Sequence, residues 1–312
     1  MRAIGVTTYG GPEVLQVLDV PAEPLGAGQV RVRVAAAAVN PTDTGVRTGI
    51  RATGGRPAGG VDVPGMDIAG TVAEVGPGVA GLTVGEHVMA IVVPSGPHGG
   101  YREDLVLPAR SVTRVPAGVS DIAAATLPMN GLTAREALDL LGLKSGQVLA
   151  VLGAAGAFGG YVIQLAKTEG LTVIADASPA DEQLVRDLGA DVVVARGDDV
   201  ASRIREHFPD GVDGLADGAL LNELALPAVR DGGAVATVRG YTGDGRRGLR
   251  VMPVSVRAYA EEWEKLDRLR ELAEQGAITL RVAGTYPAEK AADAHRRLAA
   301  GGTRGRLVLR FA

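Results

Sequence analysis

An apolar run, Val148 to Leu152, leads straight into Gly153-Ala154-Ala155-Gly156-Ala157-Phe158-Gly159-Gly160, and a helix-like stretch, Tyr161 to Thr168, follows at once. Glycines at spacing three after a strand allow a tight turn, close approach of backbone to a bound group, and close packing of helix on strand. The N–H groups that open the helix then face an anion. A glycine-rich turn without a ligand is the plainer reading of the string alone, in a chain with 45 glycines. The strand before and the helix after favour a dinucleotide loop that seats a pyrophosphate.

From Val148 onward, strand and helix alternate. Strands are expected at Val148 to Leu152, Thr172 to Ala175, Asp191 to Ala195, Val212 to Ala216 and Ala234 to Val238. Helices are expected between them, to Glu169, then Ala180 to Leu188, Val200 to His207 and Leu220 to Arg230. That alternation predicts a doubly wound parallel sheet. After Leu249 to Ser255, a helix over Tyr259 to Gln275 repeats Trp263, Leu266, Leu269 and Leu272 at spacing three and reads as amphipathic.

The preceding part reads differently. Gln29 to Ala35 alternates apolar and polar residues, and short strands follow at Asp67 to Val75, Glu86 to Val93, Asp104 to Leu107 and Ser111 to Val115, punctuated by Gly-Pro turns. A compact, mostly β, barrel-like domain is implied. Asp121 is expected to cap a helix through Ala125, with a second helix over Thr133 to Leu141. The tail, Leu280 to Phe311, returns to short strands around one helix, Ala288 to Ala300. The domains are therefore set at 1–120, 121–256 and a return at 257–312. Two glycine-rich stretches, 51–60 and 240–248, read as mobile loops.

With 32 basic and 36 acidic residues the formal charge is −4, and no basic block interleaved with aromatics suggests a nucleic-acid partner. No apolar run reaches the roughly 18 residues a membrane span needs, and Met1 to Val6 lacks a signal-peptide pattern, so a cytoplasmic protein without membrane partners is expected. Zero cysteines remove thiolate nucleophiles and cysteine-bound zinc. The four histidines, His87, His98, His207 and His295, are scattered without metal spacing and read as ordinary surface or packing residues. No metal is expected.

Several strings carry a family resemblance: Asn40-Pro41-Thr42-Asp43-Thr44-Gly45-Val46-Arg47-Thr48-Gly49, Gly65-Met66-Asp67-Ile68-Ala69-Gly70, Val84-Gly85-Glu86-His87-Val88, Gly131-Leu132-Thr133-Ala134, and Thr303-Arg304-Gly305-Arg306-Leu307-Val308-Leu309. In their order around the glycine loop they resemble the medium-chain dehydrogenase/reductase superfamily, on its zinc-free quinone oxidoreductase (zeta-crystallin-like) branch. The resemblance implies an α/β fold, a Rossmann sheet plus a GroES-like barrel domain, and a homodimer formed through the edge strand near Leu249 to Ser255. Zinc members of the superfamily carry a cysteine in the segment matching Asn40 to Asp43 and a His-Glu pair matching Met66-Asp67. They also insert a four-cysteine loop after the strand matching Glu86 to Val93. All three features are missing here. Without a Lewis acid, hydride addition to an activated acceptor is easier than alcohol oxidation.

The resemblance places Asn40 and Asp43 at the nicotinamide end, with the Asn40 amide donating to the acceptor carbonyl; the same Asn-Pro-Thr-Asp string also makes good turn and cap chemistry. Tyr101 would orient the acceptor or donate a proton, or simply anchor a strand start. Thr133 would bond the nicotinamide region or cap its helix. Where the branch usually has an aromatic, Gly45 stands, which implies a wider acceptor pocket and a bulkier enone. Asp176 lies at the spacing of a ribose-binding acid and so suggests NADH. The family register instead puts that position at Ala177, where Ala177-Ser178 resembles NADPH-binding members, with Arg196 for the 2′-phosphate and Arg304 for the cofactor. NADPH is the expected cofactor, held also by Gly153, Ala154, Ala155, Gly156, Ala157, Phe158 and Gly159. The implied activity is reduction of a small-molecule quinone or α,β-unsaturated carbonyl. Reduction of an enoyl thioester or biosynthetic ketone, and a non-catalytic NADPH- or RNA-binding protein, remain alternatives.

Overall fold

The computed structural model describes residues 1–50 and 60–311; most of the first glycine-rich stretch, at 51–59, lies outside them. The chain divides into two units. One comprises Met1–Met129, Ala260–Gln275 and Leu280–Ala312, and the other Asn130–Tyr259 and Gly276–Thr279. The boundaries thus fall at 129 and 259 rather than at 120 and 256, and residues 276–279 return briefly to the second unit.

In chain order the first unit supplies β1 (Arg2–Gly5), β2 (Gln16–Asp19), β3 (Gln29–Val39), α1 (Pro41–Thr48), β4 (Asp67–Val75), β5 (His87–Ile91), β6 (Asp104–Pro108), β7 (Val112–Arg114) and α2 (Asp121–Ala124). Then come α3 (Pro128–Leu141), β8 (Val148–Leu152), α4 (Ala157–Thr168), β9 (Thr172–Ala177), α5 (Glu182–Asp187), β10 (Val192–Ala195), α6 (Val200–His207), β11 (Val212–Asp217), β12 (Val229–Thr237) and β13 (Arg250–Pro253). The return supplies α7 (Trp263–Glu274), β14 (Val282–Pro287), α8 (Ala291–Ala299) and β15 (Arg306–Arg310).

The first unit is built on β3. Val30, Val32 and Val34 point into one core with Ile68, Val72, Val88, Leu105 and Leu107, the period-2 burial expected of a half-covered strand. From Ala36 to Val39 every side chain is buried. One edge of β3 pairs antiparallel with β4; the other is shared, Gln29–Arg33 pairing with β6 and Ala36–Val39 with β15. Bulges interrupt the β3–β4 register, bending the sheet as bulges do. A Cβ on Gly70 would lie 2.0 Å from the Arg33 carbonyl oxygen, so only glycine fits there.

In the second unit the strand order is β10-β9-β8-β11-β12-β13, parallel throughout. Its apolar core gathers Leu152, Ile174, Ile204, Leu215 and Val235. The order reverses between β8 and β11, the switch point outside which such sheets bind ligands.

Three local expectations need correction. The helix over Leu220 to Arg230 is absent: Asn222–Leu224 and Leu226–Ala228 form short 3-10 turns. Pro227 lacks a donor N–H and disfavours a helical Leu226, and Leu220 and Asn222 take left-handed backbone, φ 63° and 52°. Ser120, not Asp121, caps α2, its hydroxyl accepting from the Ala123 N–H. Because α3 begins at Pro128, Thr133 lies in its second turn and is no cap.

Candidate functional site

In the second unit the glycine loop is built as its spacing requires. Gly153 has φ +71°, and any Cβ on it would press within 2.9 Å of the Gly218 backbone. Gly156 caps α4 with extended backbone, φ −70° and ψ 172°, and a Cβ there would meet only the Gly153 carbonyl oxygen, at 3.1 Å. The far side of Gly156 is open to an approaching group. A Cβ on Gly159 would come within 2.5 Å of the Gly153 oxygen and 2.7 Å of the Ala154 Cα, so its absence lets helix lie on loop. These are the three glycine roles of a pyrophosphate seat. Ala154, Ala155 and Ala157 are buried around it, and Phe158 stands half-buried.

Asp176 does not stand free at the end of β9. Its side chain is buried and its Oδ1 accepts the Ala154 N–H at 3.0 Å; burial raises its pKa, while loop N–H groups pull it down. The carboxylate braces the glycine loop from within, so its role as a ribose acceptor is displaced by a structural one. Beyond it, Ala177, Ser178, Glu182 and Ala195 line a depression between the ends of β9 and β10. Arg196, exposed, anchors the next turn by donating its N–H to the Ala177 carbonyl at 2.9 Å.

The first unit holds a buried polar cluster. Where β3 ends, Asn40 and Asp43 form a capping box on α1, the Asn40 N–H donating to Asp43 Oδ2 at 2.8 Å. Asn40 Nδ2 donates to Asp67 Oδ2 at 2.6 Å, and Asp67 Oδ1 accepts from the Met129 N–H at 2.5 Å. Asp43 also accepts from the Gly65 N–H at 3.1 Å and from the Tyr101 hydroxyl at 3.0 Å. His295 Nε2 lies 3.2 Å from that hydroxyl, its ring edge-on to the tyrosine at 6.0 Å. With the hydroxyl proton given to Asp43, Nε2 is the donor to the tyrosine oxygen, so His295 is neutral with its proton on Nε2.

Asn40, Asp43, Asp67 and Tyr101 have no exposed surface. Burial pushes Asp67 up to about 7 and Asp43 up to about 6, against the N–H donors and the nearby Arg306 guanidinium that pull both down. Burial drives Tyr101 well above its usual range and lowers His295 to about 4, with the like charge of Arg47 a lesser cause.

Tyr101 therefore belongs behind Asp43, as part of what holds the Asn40 loop, not as a group free to give a proton to an acceptor. Asp67 and His295 are functional candidates that sequence reasoning did not select. A signal for His295 existed: it shares the spacing of Ala291, Ala294 and Leu298, the inward face of α8. Gly45 lies inside α1, is absent from the residues with positive φ, and so is no backbone device. Arg304 sits in the turn before β15, half-buried, within the first unit. Among the described residues no three His, Asp or Glu side chains converge to hold a metal ion.

Residues 26–117 match the alcohol dehydrogenase GroES-like domain family, and residues 188–309 match a family described as zinc-binding dehydrogenase. A 2-methylene-furan-3-one reductase of Solanum lycopersicum is 32% identical over 321 residues, covering 99% of this chain and 79% of that protein. A quinone oxidoreductase of Pseudomonas aeruginosa is 32% identical over 329 residues, covering 99% of each. Among solved structures, a mycobacterial protein complexed with NADPH superposes with a TM-score of 0.86 at 29% identity, covering 100% of both chains.

Proposed function

Because the chain belongs to the medium-chain dehydrogenase/reductase superfamily, on its quinone oxidoreductase branch, we propose that it is an NADPH-dependent reductase of quinones or α,β-unsaturated carbonyls. The observation that carries this reading is the Gly153–Gly159 seat with Asp176 turned inward to the Ala154 N–H. That arrangement turns the Asp176 carboxylate away from the adenosine end and leaves there Ser178, whose hydroxyl donates to Asp181, together with Glu182 and the exposed Arg196; in this reading Arg196 meets a 2′-phosphate. NADPH supplies hydride to the acceptor; a proton from solvent completes the reduction.

In this reading the protein contributes position. Gly153 to Gly159 and the first turn of α4 hold the pyrophosphate, and Thr133 and Arg304 serve the cofactor as the family resemblance implies. Asn40 is buried with its Nδ2 donating to Asp67, so it shapes the acceptor loop rather than donating to the acceptor carbonyl as expected, and Asp43, Asp67, Tyr101 and His295 hold that loop from behind. Gly45 leaves room for an acceptor bulkier than a flat quinone. The reaction is zinc-independent, in keeping with zero cysteines. We also propose a cytoplasmic homodimer: among the described residues β13 pairs only with β12, an edge that a second copy would cover. Among the described residues no helix is long and apolar enough to cross a membrane.

NADPH oxidation measured against a panel of quinones, enones and enoyl thioesters tests the activity. Turnover is expected with enones and quinones; binding of NADPH with no turnover of any acceptor would favour a non-catalytic protein instead. Fluorescence titration is expected to show NADPH binding at least about tenfold tighter than NADH, about 1.4 kcal/mol. Equal affinities would return Asp176 to the ribose. Activity should survive prolonged chelation, and loss restored by zinc would refute the metal-free reaction.

A further inference from the structure

The arginines of the second unit are nearly all engaged. Arg203 holds Asp199, Arg230 holds Asp213, Arg247 holds Asp231, and Arg205 and Arg250 bond backbone carbonyls. Within this unit, all of whose residues are described, three guanidinium groups make no hydrogen bond or ion pair with protein: those of Arg196, Arg239 and Arg257. All three are exposed, and each follows the carboxyl end of a strand: β10, β12 and β13 respectively. That is the edge on which a doubly wound sheet binds its ligands.

The strand order separates their roles. With the pyrophosphate on the loop after β8, the adenosine half of a dinucleotide would run toward β9 and β10, the side of Arg196, and the nicotinamide half toward β11 and β12. Arg239 stands on the nicotinamide side. It is held in left-handed backbone, φ +67°, a conformation that glycine adopts freely and arginine does not. The turn is tied to the neighbouring strand, the Val238 N–H donating to the Asp217 carbonyl at 3.4 Å, and next along the chain from Asp217 is Gly218, which backs Gly153. The adjacent β13 leads to Arg257, the Val254 N–H donating to the Thr237 carbonyl at 2.8 Å.

A dinucleotide seated on the loop after β8 would keep its phosphates on the side of β8 to β10, away from Arg239. An anion that Arg239 met on this side would therefore belong to the acceptor. Resting on the reductase reading above, we propose that Arg239 binds an oxyanion on the substrate: the enone this protein reduces ends in a carboxylate or a phosphate. The group is not the reacting carbonyl; it fixes which end of the molecule enters and how far.

The test compares a straight-chain enone with the same enone ending in a carboxylate and in a phosphate monoester, using the full chain and NADPH. The wild type is expected to prefer an anionic member at least about tenfold in kcat/KM, and which member leads identifies the source of the oxyanion. Arg239→Gly, which suits the left-handed backbone, should cut that preference about tenfold or more, mainly through KM, whereas Arg239→Lys retains most of it. Quenching of NADPH fluorescence gives cofactor affinity in the same variants and should not change. Equal use of neutral and anionic enones by the wild type, or loss of NADPH affinity in Arg239→Gly, would overturn the proposal. Failure of every enone and quinone would instead refute the reductase reading.

Discussion

Gly159→Ala is expected to cost both cofactor binding and stability, while Gly156→Ala costs cofactor binding alone. At Gly159 the new methyl would lie 2.5 Å from the Gly153 oxygen and 2.7 Å from the Ala154 Cα, against backbone that cannot rotate away. Helix α4 must move off the loop, and overpacking of this kind costs about 1–3 kcal/mol. Because the N–H groups proposed to seat the pyrophosphate move with the helix, NADPH affinity should fall about a hundredfold, about 2.8 kcal/mol. At Gly156 the backbone, φ −70° and ψ 172°, suits alanine, and the only close atom is the Gly153 oxygen at 3.1 Å. There the methyl occupies space meant for the ligand. Thermal denaturation with fluorescence titration separates the two effects. Wild-type NADPH affinity in Gly156→Ala would show that the loop is not the pyrophosphate seat.

A second large effect lies in the pH dependence of stability. His295, 1% exposed, is lowered to about 4 from its ordinary 6.5, so between those values the unfolded chain holds a proton that the folded chain refuses. Stability from this residue is complete above pH 6.5 and drains away as pH falls toward 4, by about 2 kcal/mol at pH 5. His295→Gln keeps an N–H donor for Tyr101 and cannot titrate. At pH 7 the variant is expected to be less stable by about 1–3 kcal/mol, and the deficit should shrink steadily on going to pH 5. Asp43 and Asp67, raised to about 6 and 7, act with the opposite sign, gaining protons in the folded state as pH falls. They are common to both proteins and cancel in the difference. Urea denaturation at several pH values reads it directly, and parallel profiles for the two proteins would mean that His295 titrates as a solvent-exposed imidazole.

Local pattern was sufficient wherever a segment carries its own reason for its shape. Strands β4 and β8 and helix α6 fall on the residues that periodicity assigns, because alternation and apolar run length are properties of the segment itself. Leu220 to Arg230 has the composition of a helix, yet one imino acid at Pro227 and the hold of buried Asp217 on the Ala219 and Asn222 N–H groups outweigh propensity. The polar cluster shows the other limit. Asn40 and Asp43 are three residues apart and legible as a cap, but Tyr101 meets His295 across 194 residues and Asp67 meets Met129 across 62. No spacing rule links such pairs: α8 brings His295 to Tyr101, and the start of α3 brings Met129 to Asp67 on β4.

The shared edge of β3 also governs when the protein can finish folding. Ala36–Val39, the residues that lead into Asn40, find their partner in β15, a strand far later in the sequence. The strands of the nucleotide unit pair with near neighbours in sequence apart from the long reach between β8 and β11, and all of that unit, including residues 276–279, precedes β15. Contacts of such wide separation form slowly. A nascent chain that has not yet reached β15, or one cut before it, would thus hold a formed glycine loop together with an open β3 edge and an unassembled Asn40 loop: one unit ready for a cofactor, the other without its finished site.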